Sequence, residues 1–223
     1  MPKAPPETTA VQDYLKAIYQ LGGSSGHVPT SALARRLAVR PASVSGMVRR
    51  LDEQGLVSHE RYRGVRLTRK GARQAVEMIR HHRLLELYLA EIVGMPWDKV
   101  HAEADALEHV ISEDLESRLD ELLGYPTIDP HGHEIPTAGL ELTEASYPSL
   151  LEAVPGDYVI KRVSDDDPEL LRHLEGLGIK PGLPVEVVEQ VAFGGGLRIR
   201  SANGTERVIG RDAAEAICVE LAA

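Results

Sequence analysis

Residues 82–109 read HRLLELYLAEIVGMPWDKVHAEADALEH, and the organisation of the whole chain follows from them. The breaker Gly94-Met95-Pro96 predicts two helices in place of one. On the first, His82 and Glu86 are four residues apart and share a face. On the second, His101, Asp105, Glu108 and His109 would fall within an arc of roughly 100° at 3.6 residues per turn. Three imidazoles and three carboxylates on two neighbouring helices form a plausible cage for a divalent cation.

Upstream, Val11, Leu15, Ile18 and Tyr19 repeat at helical spacing, predicting a helix from Glu7 or Thr8 to about Leu21. Gly22-Gly23-Ser24-Ser25-Gly26 ends it, after a leader over residues 1–6. Thr30 or Ser31 opens SALARRLAV, and Pro41 or Ala42 opens ASVSGMVRRLDEQG, with Gly55 as its stop. Two short helices joined by a tight turn predict a helix-turn-helix. LVSHERYRGVRLTRKG then supplies two β-prone runs around Arg63-Gly64, a wing. Charge agrees with a DNA-facing role. Residues 1–73 hold 13 Lys and Arg against 5 Asp and Glu, whereas residues 74–223 hold 12 against 29. The residues at the start of the second helix, Arg40, Ala42, Ser43, Ser45 and Gly46, would face base edges. Arg49, Arg50 and Arg63, with Arg61, Arg66 and Lys70, would meet phosphates.

A long apolar helix from about Ala72 to Ile92, a second from Trp97 to Val110 and a third from Ser112 to Gly124 follow. Such helices need more than one neighbour, so the middle of the chain is the expected dimerisation unit. Tyr125 to Pro148, with four prolines, is an irregular connector. His131 and His133 within it read as parts of a structural loop. From Ser149 the period becomes two. DYVIKRV, LPVEVVEQV, GLRIRS, TERVIG and AICVEL predict five short strands, with turns at Pro181-Gly182, Gly194-Gly195-Gly196 and Asn203-Gly204, and PELLRHLEGLG a helix. Five short strands suit a small SH3-like β-barrel. The fold is therefore expected to be mainly α with a small β component. The expected domains are a winged helix-turn-helix over 1–72, a helical metal-binding and dimerisation domain over 73–146 and an SH3-like domain over 147–223.

A single cysteine, Cys218, excludes an intrachain disulfide and a thiolate zinc site. MPKAPPETTAVQDY has no apolar signal core and no run approaches the length of a bilayer span, so a cytoplasmic placement off the membrane is expected.

In this order of parts the chain resembles the diphtheria-toxin-repressor family of iron- and manganese-responsive regulators. The resemblance is carried by HRLLELYLAEIVG, KVHAEADALEHVISEDLESRL, PHGHEIP and SDDDPELLRHLEGLGIKPG. It implies a homodimer that binds a palindromic operator in double-stranded DNA when loaded with metal, usually to repress transcription. It also implies two metal sites. One would use His82, Glu86 and His101 with a third-domain carboxylate, best matched by Asp167, with Asp165, Asp166 and Glu169 as near substitutes. The other would use Asp105, Glu108, His109 and, from the first helix, Asp13. Iron-responsive members place methionine and cysteine where this chain has Asp13 and Asp105. Two carboxylates there point to Mn(II), with Fe(II) next and Co(II), Ni(II), Zn(II) or Cd(II) as surrogates in vitro. Two departures from the family pattern stand out: Lys16 where manganese-type members often carry a further acidic ligand, and Leu170 at a glutamine position. The first makes two separate sites the expectation in place of a binuclear cluster. Two other readings of the residues remain: a helical carboxylate and histidine metalloenzyme, and a helix-turn-helix regulator of a small organic ligand.

Overall fold

The computed structural model describes residues 8–191 and 195–222. The expected leader, Glu7 and Gly194 lie outside the described residues. The chain forms two compact units. The first holds the residues up to His81 together with Glu108–Ile111 and Pro136–Leu142, and the second holds His82–Leu107, Ser112–Ile135 and the chain from Thr143 onward.

In the first unit, α1 (Thr9–Gln20), α2 (Thr30–Arg36) and α3 (Pro41–Glu53) precede a two-stranded wing, β1 (Val57–Glu60) and β2 (Gly64–Leu67). The apolar stripes do what their spacing requires. Val11, Leu15 and Ile18 of α1 share one core with Leu33, Val44, Val48, Leu51, Val57, Val65 and Leu67. Pro41 starts α3, where its missing N–H costs nothing. Gly55, at φ +68°, ends it, with Leu56 N donating to Leu51 O and Gly55 N to Asp52 O. That pair of bonds is a Schellman stop, which favours glycine. The wing turns through Arg61-Tyr62-Arg63, with Glu60 opposite Gly64. α4 (Arg69–Glu91) begins earlier than its apolar pattern shows, because Thr68 Oγ1 accepts from Gly71 N and caps it.

In the second unit, α5 (Trp97–Leu107) and α6 (Glu113–Leu122) follow the second half of α4. Ser112 caps α6 by accepting from Leu115 N. α5 stops at Leu107, short of the expected Val110, so Glu108 and His109 stand in the turn beyond it. Five antiparallel strands, β3 (Gly156–Val163), β4 (Pro184–Gln190), β5 (Leu197–Ser201), β6 (Glu206–Ile209) and β7 (Ile217–Leu221), pair in the order β6-β5-β4-β3-β7. α7 (Pro168–Gly176) follows β3, and a five-residue helix, α8 (Arg211–Glu215), unanticipated from sequence, joins β6 to β7. A register shift between Ile160 and Arg162 turns Val163 inward alongside Tyr158 and Ile160. These close a core with Leu171, Leu174, Val185, Val187, Ile199 and Val219, which Trp97 of α5 joins.

The connector has a fixed path. Asp129 Oδ1 accepts from His131 N at 2.8 Å and His133 N at 2.9 Å, a side-chain turn that folds the loop on itself. Gly132 takes φ +91°, and a Cβ there would lie 2.0 Å from Lys161 O. Gly132→Ala is therefore expected to destabilise the protein by about 2 kcal/mol or more, from strain and overlap together. Guanidinium unfolding of the chelator-treated protein measures this, and an unchanged midpoint would show that the loop has slack.

Candidate metal centres and nucleic-acid interface

Within the second unit a carboxylate with no exposure to water gathers the site. Glu86, on α4, is 0% exposed. His82, one turn earlier, brings Nε2 to 3.0 Å from Glu86 Oε1. His101 of α5 brings Nδ1 to 3.0 Å from the same oxygen and 3.1 Å from His82 Nε2. Asp165, between β3 and α7, places Oδ2 3.4 Å from His101 Nδ1. Donor atoms of His82, Glu86, His101 and Asp165 all fall within 4.8 Å of one another. Asp105 lies beside them, with Oδ1 3.3 Å from His82 Nδ1 and Oδ2 3.6 Å from His101 Nε2.

Two placements differ from the sequence expectation. Asp167 is not at this group. Its Oδ1 accepts from Glu169 N at 2.8 Å and Leu170 N at 3.3 Å, so it caps α7 just before Pro168, and Asp165 takes the place beside His101. The PHGH loop is also more than a connector. His131 is 0% exposed, stacks on Trp97 with ring centroids 5.6 Å apart, and sets Nδ1 3.7 Å from Glu86 Oε1. Glu86, Asp129 and His131 form a second group able to hold a cation. His133 Nδ1 lies 3.3 Å from Asp129 Oδ2 and 3.9 Å from Asp165 Oδ2. Glu86 Oε2, Asp129 Oδ2, His131 Nδ1 and His133 Nδ1 are buried without a hydrogen-bond partner. Polar atoms left this way cost free energy unless something binds them. This concentration of orphaned oxygen and nitrogen donors fits a divalent cation.

In the first unit, Asp13, Glu108 and His109 form another such group. His109 Nε2 lies 3.1 Å from Asp13 Oδ1 and 3.8 Å from Glu108 Oε1, while its Nδ1 meets Gln12 Oε1 at 2.9 Å. A hydrogen bond to the second ring nitrogen orients the imidazole, as metal-ligating histidines require. His81 Nδ1 stands 3.1 Å from Glu108 O, a support that nothing in the helical pattern singled out. Lys16 Nζ pairs with Glu108 Oε2 at 2.7 Å. Because α5 ends at Leu107, Glu108 and His109 leave its axis and meet α1, whereas Asp105, still helical, stays with His82 and His101. Asp105, expected beside Asp13, has its carboxylate oxygens 3.3 Å from His82 Nδ1 and 3.6 Å from His101 Nε2.

Arg40, Ala42, Ser43, Ser45, Gly46, Arg49 and Arg50 are all exposed, while Val44, Val48 and Leu51 of the same helix face the core. Ser45 Oγ donates to Pro41 O at 3.1 Å. Arg63 is exposed but donates to Glu60 Oε2 at 2.8 Å, and His27 Nε2 lies 3.1 Å from the other Glu60 oxygen. The wing tip presents Tyr62, 90% exposed, with the Arg61 guanidinium 4.9 Å over its ring.

Comparison with known proteins agrees with these parts. The chain matches the iron-dependent repressor N-terminal DNA-binding domain over residues 8–65, the iron-dependent repressor metal-binding and dimerisation domain over 68–137, and the FeoA domain over 149–221. The iron-dependent repressor IdeR of Mycobacterium tuberculosis H37Rv is 34% identical over 222 residues, covering 93% of this chain and 95% of that protein. The regulator MntR of Bacillus subtilis is 35% identical over 118 residues, 53% of this chain and 82% of its own. A solved manganese-dependent transcriptional repressor in complex with manganese is similar with a TM-score of 0.87 at 37% identity, covering 95% of this chain and all of that one.

The protonation of the Glu86 group follows from its packing. Burial opposes the charge on Glu86, yet the charge of His82 and hydrogen bonds from His101 and His82 hold its carboxyl well below the usual range. Burial likewise opposes the charge on His101, and hydrogen bonds to Asp165 and Glu86 overcome it, raising the imidazole from 6.5 to about 9. Asp165 is lowered, with burial opposed chiefly by its hydrogen bond to His101. A raised folded-state value makes the His101 contribution to stability fully present below pH 6.5 and lost as pH rises through about 9. Chelator-treated protein is expected to melt at progressively lower temperature as the pH is taken from 6.5 to 9.5, within a range where these carboxylates stay ionised. Excess Mn²⁺ should reverse the trend, since ligation needs the neutral imidazole. Thermal melts with and without metal check both signs.

Proposed function

We propose, for a chain that belongs to the diphtheria-toxin-repressor family of iron- and manganese-responsive DNA-binding regulators, a homodimer that binds a palindromic operator when loaded with Mn(II), or alternatively Fe(II). The chain is a metal-dependent transcriptional repressor serving metal homeostasis, not an enzyme. The observation that carries the proposed switch is Asp13 of α1 standing 3.1 Å from His109.

His82, Glu86 and His101 with Asp165 would hold one ion, with Asp129 and His131 within reach of Glu86. Asp13, Glu108 and His109 would hold another. Asp105 serves the first group by orienting His82 and His101. A bound divalent cation supplies charge that cancels carboxylate repulsion and a link between its donors. Asp13 turns that link into control of DNA binding. It sits on the helix whose Val11, Leu15 and Ile18 share a core with Val44, Val48 and Leu51 of α3, so fixing α1 fixes the recognition helix. In a homodimer this sets the two recognition helices about one DNA turn apart, roughly 34 Å. The exposed apolar residues Ile92, Val93, Leu115 and Leu122 support a subunit interface in the helical middle of the chain. Residues 1–72 would then read DNA, residues 73–146 would sense metal and dimerise, and residues 147–223 would contribute Asp165.

The donors are all nitrogen and oxygen, which suits Mn(II) and Fe(II). Co(II), Ni(II), Zn(II) and Cd(II) are expected to substitute in vitro. The proposed setting is the cytoplasm, and no described helix is long and apolar enough to cross a membrane.

Duplexes selected from a random pool in Mn²⁺ are expected to be palindromic. They should bind at least tenfold more tightly with Mn²⁺ or anaerobic Fe²⁺ than with chelator, a coupling of ordinary allosteric size. Equal affinity in the two conditions sinks the switch. Asp13→Ala should abolish most of the metal-dependent gain without lowering the melting temperature of the metal-free protein. Arg50→Ala should weaken all duplexes about evenly and reduce the salt slope of binding by about 1, the mark of one lost phosphate contact. An unchanged slope removes Arg50 from the interface.

A further inference from the structure

One of the charged side chains set against Asp13, Glu108 and His109 is itself a cation. Lys16 lies three residues after Asp13 on α1, and its Nζ is 2.7 Å from Glu108 Oε2, with side-chain exposures of 11% for the lysine and 1% for the glutamate. Glu108 is thereby divided. Oε2 accepts from the ammonium, while Oε1 is the oxygen 3.8 Å from His109 Nε2. A carboxylate this buried is costly unless a counter-charge accompanies it. Lys16 places that counter-charge at hydrogen-bonding distance from Glu108 Oε2. The same positive charge opposes a second, divalent one a few ångströms away.

We propose that Lys16 is a resident counter-ion that sets the metal threshold of the Asp13, Glu108 and His109 group and restricts Glu108 to one donor oxygen. The inference rests on the reading that this group binds metal. It has two consequences of opposite sign. Removing the ammonium should destabilise the metal-free protein and, at the same time, tighten metal binding. A lysine that merely props up the turn would, when removed, loosen the ligands and weaken binding.

The test uses the full chain and Mn²⁺ alone, titrated by calorimetry and by competition with a fluorescent chelator. His109→Ala identifies the step of the titration that belongs to this group. Lys16→Met is expected to tighten that step about tenfold or more, the scale of one unit charge removed near a divalent ion at high effective dielectric. It should also lower the melting temperature of the chelator-treated protein. Lys16→Gln, which keeps a donor for Glu108 without the charge, carries the same expectation if methionine is not tolerated. Lys16→Arg should remain within about threefold of the parent, because the charge is kept. Unchanged or weaker Mn²⁺ binding at the His109-sensitive step in both neutral variants overturns the proposal. A titration in which His109→Ala removes no step sinks the metal reading beneath it instead.

Discussion

A carboxylate shut away from water must be matched by positive charge or by donors, and Glu86 imposes that demand on the second unit. His82 and His101 meet one of its oxygens at 3.0 Å, and His131 approaches the same oxygen from the loop. Each of these imidazoles is then held by something else: His82 by Asp105, His101 by Asp165, and His131 by the Trp97 carbonyl and indole. The bend at Gly132 lets the loop reach this position, and the core around Trp97 keeps α5 against the strands. The SH3-like sheet is thus more than an appended module. Through Asp165 it closes the charge balance that Glu86 opens.

The end of α5 is the second constraint. Had the helix run on to Val110, Asp105, Glu108 and His109 would share one face and serve one site. With the helix ending at Leu107, Asp105 lies beside His82 and His101 in the second unit, and Glu108 and His109 lie beside Asp13 in the first. One short sequence, HAEADALEH, therefore supplies donors to both proposed metal groups.

Local rules made much of this legible, and contacts distant in sequence account for most of the remainder. The stripes of α1 and α3, the stop at Gly55, the Ser112 cap and the five strands are written in spacing and turn residues. The His82, Glu86 and His101 set was likewise visible in helical periodicity. The α5 terminus was not, because no glycine or proline marks residues 108–110. His131 and His133 sit two apart in a loop, where no period exists to show that His131 returns to Glu86, some 45 residues earlier, or that His133 faces Asp129 and Asp165. α8 is too short to display a period. Asp167 is a different matter, since its displacement could have been read. An aspartate directly before a proline that opens a helix is a capping residue, and a capping side chain is turned toward its own helix. Asp165 was the carboxylate left free to face His101.

The two donor groups solve one electrostatic problem by different means. Around Glu86 the compensating charge is an imidazolium that can leave as a proton, with His101 raised to about 9 by its carboxylate neighbours. Around Glu108 it is the Lys16 ammonium, 2.7 Å from Oε2. Both groups bind through imidazoles, so a cation entering either one competes with protons. A cation entering the second works against a constant charge, so its affinity has a ceiling set by sequence. The group that includes Asp13, and so bears on α1 and the recognition helix, is the one with the fixed charge.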